Sequence, residues 1–307
     1  MKITRNFFFS YQGVCLKHNF LLFDSVHRYP MIVLKQYKRA LMDYYIAKYS
    51  RSGNYKELNP NKTYLIVNHP WFNYYHWMLE SIPRIVRFKD TLKELTLILP
   101  QSIYSIPFVH ESLRLFQFKD IEINDDGWHY HVPQGIISPL PAYCYSYDAF
   151  LIQKTRDLYR KYFYKKDPVE PFRKVYVSRL NASRRKFINE EEVIALMKKY
   201  NFEIIELENT SLEEQVNLFV ETKYLVSMHG AALTNLLFMS PQTRVLEMYR
   251  KKYSSFELKS KVYKNLAPIL GIQHSEFACD PVDKKEDFFN ADLIANVIEL
   301  ERQIKDE

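Results

Sequence analysis

Between residues 171 and 249 the spacing of apolar positions switches repeatedly between strand-like and helix-like. Lys174 to Ser178 holds a β-branched apolar run that predicts a strand. Asn189 stands ahead of an apolar stripe at Val193, Leu196 and Met197, with Glu192 three positions on, the spacing of a capping box at a helix start. Phe202 to Leu207 predicts a second strand, and Ser211 with Glu214 repeats the capping box before Val216, Leu218, Phe219 and Val220. Tyr224 to Met228 predicts a third strand. A turn then leads into a short apolar helix from Leu233 to Met239, closed by Pro241, and a strand from Arg244 to Tyr249. Strands alternating with helices predict a parallel, doubly wound sheet, with ligands beyond the carboxyl ends of its strands.

The first half alternates less regularly. Strands are predicted at 14–23, 63–68, 95–99 and 121–123, and helices at 31–49, 74–88, 107–116 and 148–164. Residues 132–142 carry three Pro and one Gly and predict a loop. The charged segment 165–171, with two Pro, predicts a linker, dividing the chain into domains at 1–168 and 169–307. Asn290 predicts the cap of a final helix over 291–305, packed back on the first domain.

Composition narrows the setting. Of 307 residues 47% are hydrophobic and 26% charged, which suits packed cores and argues against broad disorder. No apolar run is long enough for a membrane span, and the apolar stretch near the N-terminus is too short for a secretory signal. Cys15, Cys144 and Cys279 lie far apart, so neither a disulfide framework nor a zinc site is expected, and a reducing cytoplasm is. The net charge of +7 favours an anionic partner. No nucleic-acid motif accompanies that charge, so nucleic acid is not expected as the partner.

Four places carry candidate chemistry. The turn His229-Gly230-Ala231-Ala232 lies between a strand and a helix start, where backbone N–H groups suit a phosphate; a plain βα turn with a buried histidine is the alternative. His76 and Glu80 are four apart on the helix that Asn73 caps, so they share a face and can serve as a proton acceptor or form an ordinary helix pair. Arg84 is four further on, with Pro83 beside it to kink the helix. Arg179, Arg184 and Arg185 follow a strand end and can grip a diphosphate or make a solvated basic loop. Glu247 at another strand end can hold ribose hydroxyls or lie on the surface. There is no GxGxxG, P-loop, HExxH, GxSxG or Asp-x-Asp, so phosphate charge is expected to fall to Arg, Lys and N–H groups without a metal.

The segments NYYHWMLESIPR at 73–84 and VYVSRLNASRR through LVSMHGAALTN to RVLEMY at 175–249 together resemble glycosyltransferase family 61. The resemblance implies an α/β GT-B-like fold, two Rossmann-like domains facing across a cleft, with the acceptor side first and the nucleotide-sugar side second. It implies an inverting, metal-independent transferase with no cofactor, moving sugar from a nucleotide-diphosphate donor, UDP above all. The acceptor would be a glycan or lipid-linked glycan hydroxyl in bacterial surface or capsular polysaccharide synthesis. Glu80 is implied as general base, with His76 orienting it, touching the donor phosphate or serving as base itself. Arg179 with Arg184 or Arg185 would hold the diphosphate. His229 and the backbone of Gly230, Ala231 and Ala232 would cradle it, Thr234 and Asn235 would bond phosphate or sugar, and Glu247 would hold ribose. A nucleotide-sugar epimerase and a silent nucleotide-sugar-binding subunit are the competing readings. The helix over 148–166 places six Lys or Arg beside an apolar stripe and can lie on an anionic membrane, which would place the enzyme at the inner face of the cell membrane; packing on its own domain is the alternative.

Overall fold

The computed structural model describes every residue except 1, 28–29, 51–53, 141–145, 183–184, 252–260, 287–289 and 307. It is an α/β protein of two compact units, Met1–Leu158 and Tyr159–Glu307.

In the first unit the elements run β1 (Thr4–Phe9), β2 (Cys15–Lys17), β3 (Phe20–Leu21), α1 (Pro30–Tyr49), β4 (Tyr55–Glu57) and β5 (Tyr64–Ile66). Next come α2 (Tyr74–His76), a π-turn (Trp77–Ser81), α3 (Ile82–Val86), β6 (Thr96–Pro100), α4 (Gln101–Tyr104), α5 (Pro107–Leu113), β7 (Asp120–Asn124) and β8 (His129–Ile137). The sheet order is β3-β2-β1-β8-β5-β6-β7, with β4 also on β8. Strands β5 to β8 pair in parallel, and β1 joins β8 antiparallel. Three successive Phe in β1 make sense on a sheet covered on both faces: Phe7 and Phe9 enter one core, and Phe8 enters the other, beneath α1.

Strand β8 occupies much of the stretch where three Pro predicted a loop. Pro133 is tolerated there because its ring falls where hydrogen bonding lapses. On one side β4 pairs with residues 129–131 and β5 with 135–137, leaving 133 between them. On the other side the β1 register passes over Pro133 at Asn6, whose φ of 52° marks an irregular position.

The second unit has β9 (Arg173–Val177), α7 (Glu190–Lys199), β10 (Glu203–Ile205), α8 (Leu212–Val220) and β11 (Thr222–Met228), a 3-10 helix (Ala231–Phe238) and β12 (Arg244–Arg250) after α6 (Ala149–Phe163). It ends with α9 (Val262–Ile269), β13 (Gln273–Pro281), β14 (Leu293–Ile294) and α10 (Val297–Asp306). The order β10-β9-β11-β12-β13-β14 is parallel except for β14. Connections leave β9 in opposite directions, so the topological switch point lies between the carboxyl ends of β9 and β11, where ligands bind in such sheets.

Three expectations need correction here. Asn189 does not cap α7 with its side chain; the carboxamide bonds Ala295 through both its oxygen and its nitrogen instead, tying the helix start to the end of the chain. The final helix starts only at Val297, because Leu293 and Ile294 form β14, and Leu293 packs in the same core as α7. The apolar stripe of α6 is largely used in packing: Leu151, Tyr159 and Phe163 are buried with Ile152, while Phe150 and Tyr162 stay exposed. The division between the units falls inside α6, ahead of the charged linker expected at 168. The end of this helix is bonded within the second unit, through Arg160 to Ser240 and the Phe163 carbonyl to Asn217. Among the described residues no helix is long and apolar enough to cross a membrane.

Arg84, on α3, fixes the helix to the sheet. Its buried guanidinium donates to the carbonyls of Ser138 (2.6 Å), Ile66 (3.2 Å) and Val67. Burial pulls its acidity constant down to about 9, partly offset by Glu80 and other acidic groups nearby. The substitution Arg84→Met should strip donors from three carbonyls and lower stability by about 3 kcal/mol, or roughly 10 °C in thermal midpoint. A midpoint within about 2 °C of wild type would show that the clamp is not needed.

Candidate active site

Asn73 starts α2 in extended conformation and its side chain accepts from the His76 N–H at 3.2 Å. The chain then widens into the π-turn, which ends where Pro83 has no N–H to give. Trp77 anchors the segment inward by donating to Ser112 Oγ at 2.7 Å, and Ser81 donates to the Val67 carbonyl. Glu80 is thereby driven into the unit and is only 2% exposed.

Three histidines gather around one oxygen of that carboxylate. His76 Nδ1 is 2.6 Å from Glu80 Oε2 and His27 Nε2 3.3 Å. His69 Nε2 lies at 3.2 Å, close enough for attraction but without hydrogen-bond alignment. His27 and His69 are buried, whereas the His76 side chain is 16% exposed. Trp71 packs its ring against His27 and His76, at 5.5 and 5.2 Å between centroids. Gly13 makes room for His69: with φ +90°, a Cβ there would sit 2.4 Å from the Asn68 carbonyl oxygen.

Burial pushes Glu80 towards the neutral acid, but the hydrogen bonds of His27 and His76 and the attraction of His69 outweigh it and hold the carboxylate well below its usual range. His69 goes the other way. Burial lowers it to about 4, more than the attraction of Glu80 raises it. With Glu80 anionic, His76 donates from Nδ1, and its Nε2 is left as a lone-pair acceptor. A cavity of about 340 Å³ in the same unit is lined by Glu80, Leu79, Pro139, Tyr147 and the Arg87–Asp148 ion pair.

In the second unit, the residues expected at the switch point divide into those that converge and those that do not. Arg179 follows β9; its N–H donates to Glu190 at 2.7 Å and its Nε to the Arg185 carbonyl at 2.8 Å. Arg185 crosses the α-carbon of Gly230 so closely that a Cβ there would lie 2.6 Å from its Nη2, with Arg179 Nη1 at 3.9 Å. Two guanidinium groups thus reach the βα corner, Arg185 lying closest over Gly230. Ala231 and Ala232 precede the first bond of the 3-10 helix, Leu233 N–H to the Gly230 carbonyl. Arg184 lies outside the described residues.

Thr234 and Asn235 do not line this corner. Both are fully buried, Thr234 3.4 Å from Tyr263 Oη and Asn235 donating to Gln215 at 2.9 Å. Glu247 is also spoken for. His229 Nδ1 engages one carboxylate oxygen and His274 Nε2 the other at 2.7 Å, and the side chain is buried between them. Burial acts to raise Glu247, and the two histidines overcome it, holding the group at about 2. Tyr263 donates to the Gly230 carbonyl at 2.6 Å and fixes the turn.

Sequence reasoning missed His27, His69, Trp71, Tyr263 and His274. Only His69 carried a signal, being placed just after a predicted strand where parallel sheets put their ligands. Among the described residues, His27, His69 and Glu80, and separately Glu247, His274 and Glu276, bring three ligand-type atoms within 4.8 Å of one another. These are the residues to which an ion would bind if either unit held one.

The pH dependence of stability follows from His69. Its folded value lies below its ordinary 6.5, so its contribution is fully present above that pH and is lost as pH falls towards 4. The loss should reach roughly 3 kcal/mol, before Glu80 itself protonates. Chemical denaturation of wild type and His69→Gln between these limits checks it: the variant's slope should flatten, and equal slopes would remove the assignment.

The chain is 30% identical over 112 residues to the EGF domain-specific O-linked N-acetylglucosamine transferase of Drosophila melanogaster. That match takes in 36% of this chain and 20% of the fly protein, so the chain spans about a fifth of its relative's length. The family Glycosyltransferase 61 matches residues 74–246, from the start of α2 into β12. More than half of the chain is thus accounted for, and the protein belongs to glycosyltransferase family 61.

Proposed function

We propose that this glycosyltransferase moves a sugar with inversion from a nucleotide diphosphate, UDP in the first instance, to a glycan or lipid-linked glycan hydroxyl in surface polysaccharide synthesis. The GT-B organisation belongs to this proposal, with the first unit supplying the base and the second the donor site. The reading needs no metal: Arg185, Arg179 and the N–H groups of Ala231 and Ala232 meet the phosphate charge. Free Cys15 and Cys279 support a reducing, cytoplasmic setting.

The observation that carries the mechanism is the partly exposed His76 held by a buried, anionic Glu80. Glu80 is held too acidic to be an effective base. His76 Nε2 takes the acceptor hydroxyl proton as the oxygen attacks the anomeric carbon. The bond from that carbon to the diphosphate breaks on the opposite face, and the nucleoside diphosphate leaves as an anion. Glu80 fixes the tautomer and steadies the imidazolium, as a carboxylate does behind other catalytic histidines. The cavity beside Glu80 receives the acceptor. In the second unit Glu247 plays the corresponding part for His229, which faces the departing phosphate with Arg185.

His76→Ala should lower turnover about 100- to 10,000-fold, and added imidazole should restore part of it. Glu80→Gln should lose turnover to a similar extent while keeping donor affinity. Near-wild-type turnover in His76→Ala, beside a dead Glu80→Gln, would transfer the base to the carboxylate. Calorimetry tests the donor corner: Arg185→Ala should weaken UDP binding about 10- to 100-fold, and unchanged affinity would place the diphosphate elsewhere. The fly relative's name adds N-acetylglucosamine to the sugars worth including in the donor panel.

A further inference from the structure

Helix α1 is apolar on two sides. Its inner side, with Ala40 and Ala47 buried and Val33, Tyr37, Leu41 and Tyr44 partly so, closes the core above Phe8 and Leu16. Its outer side is apolar as well. Met31 is 82% exposed and Tyr49 69%, and Leu34, Met42, Tyr45 and Ile46 are about half exposed. The remaining exposed side chains described on the helix are Lys35, Lys38, Arg39 and Lys48; none is acidic. The β2–β3 hairpin continues the surface. Its turn residues His18 and Asn19 have φ of 49° and 65°, Asn19 donates to Tyr45 Oη, and Phe20 beside it is 74% exposed.

A helix with apolar residues all round is ordinarily buried on all sides. One side of α1 is covered by its own unit, and the other carries large side chains in water. We infer that the outer face of α1, with Phe20, docks on an anionic phospholipid bilayer, the helix lying in the plane of the surface.

The chemistry of the face selects this occupant. Apolar side chains and cations are interleaved along the whole helix, about 30 Å of it, so that the apolar groups can enter the acyl boundary while Lys and Arg reach up to phosphate on flexible stems. A protein interface is ordinarily poor in lysine at its centre, whereas Lys35 and Lys38 sit in the middle of this one. The helix is too polar to span, which leaves the surface position. This inference stands independently of the sugar and the catalytic assignment.

Sedimentation with vesicles tests it. The chain should pellet with vesicles of phosphatidylcholine and phosphatidylglycerol in equal parts, and should do so about tenfold less well with phosphatidylcholine alone or in high salt. The double variant Met42→Glu with Ile46→Glu should lose binding about tenfold or more, while keeping its thermal midpoint and its transfer to a soluble acceptor. Phe150→Ser, on α6, should bind as wild type does. Binding indifferent to the anionic lipid, binding that survives the double variant, or a chain that forms dimers through this face and ignores vesicles would each overturn the inference.

Discussion

A single buried negative charge organises the first unit. Glu80 sits where an isolated carboxylate would shed its charge by taking a proton. It remains anionic because His27, His69 and His76 arrive from three separate segments: the chain before α1, the end of β5, and the helix itself. Each arrival imposes a condition elsewhere. His69 can approach only because Gly13 has no side chain, and Glu80 faces inward because Trp77 and Arg84 clip the helix to its neighbours. Arg84, at the end of the same motif, spends its donors on backbone carbonyls. The same helix thus carries its chemistry at 76 and 80 and its attachment at 77 and 84.

The second unit reaches a similar solution with different elements. Glu247 lies on β12 between His229 from the corner after β11 and His274 on β13. In both places the carboxylate is buried against its histidines. What it does is select one tautomer of a neighbouring imidazole and hold its other nitrogen in a fixed direction. A ligand-facing histidine supported in this way changes charge at little cost in reorganisation, which suits a reaction that creates a proton at one end and releases an anion at the other.

The order from β9 to β12 could be read from sequence because each element there is short and regular, and the Ser211–Glu214 box forms as its spacing requires. Elsewhere the rules that failed were local ones. Pro and Gly within 132–142 argued for a loop, and only the gap between β4 and β5 explains how Pro133 enters a strand. Asn189 had the right spacing to cap a helix and found Ala295, more than a hundred residues away, instead. The site was legible where both partners lay on one helix, as His76 and Glu80 do. His27 and His274 join their carboxylates across 53 and 27 positions, which no periodicity records. Thr234 and Asn235 were expected at the ligand because the first turn of a helix exposes its N–H groups; their side chains point inward, since a 3-10 turn of this apolar composition packs nearly all of itself into the core.

Helices α6 and α1 show why periodicity alone misdirects a search for surfaces. An apolar stripe with a basic flank, as in α6, is what any helix packed on its own domain needs, and Leu151, Ile152, Tyr159 and Phe163 are used for that purpose. Helix α1 has a weaker stripe because apolar residues recur on its far side too. A blurred period therefore carries more information about a second contact than a sharp one, once the structure shows which side the core has already taken. The decisive quantity is the chemistry left over after packing: on α6 it is a charged edge with Phe150 and Tyr162, and on α1 it is six large apolar side chains among four exposed cations, with one partly buried acid, Asp43.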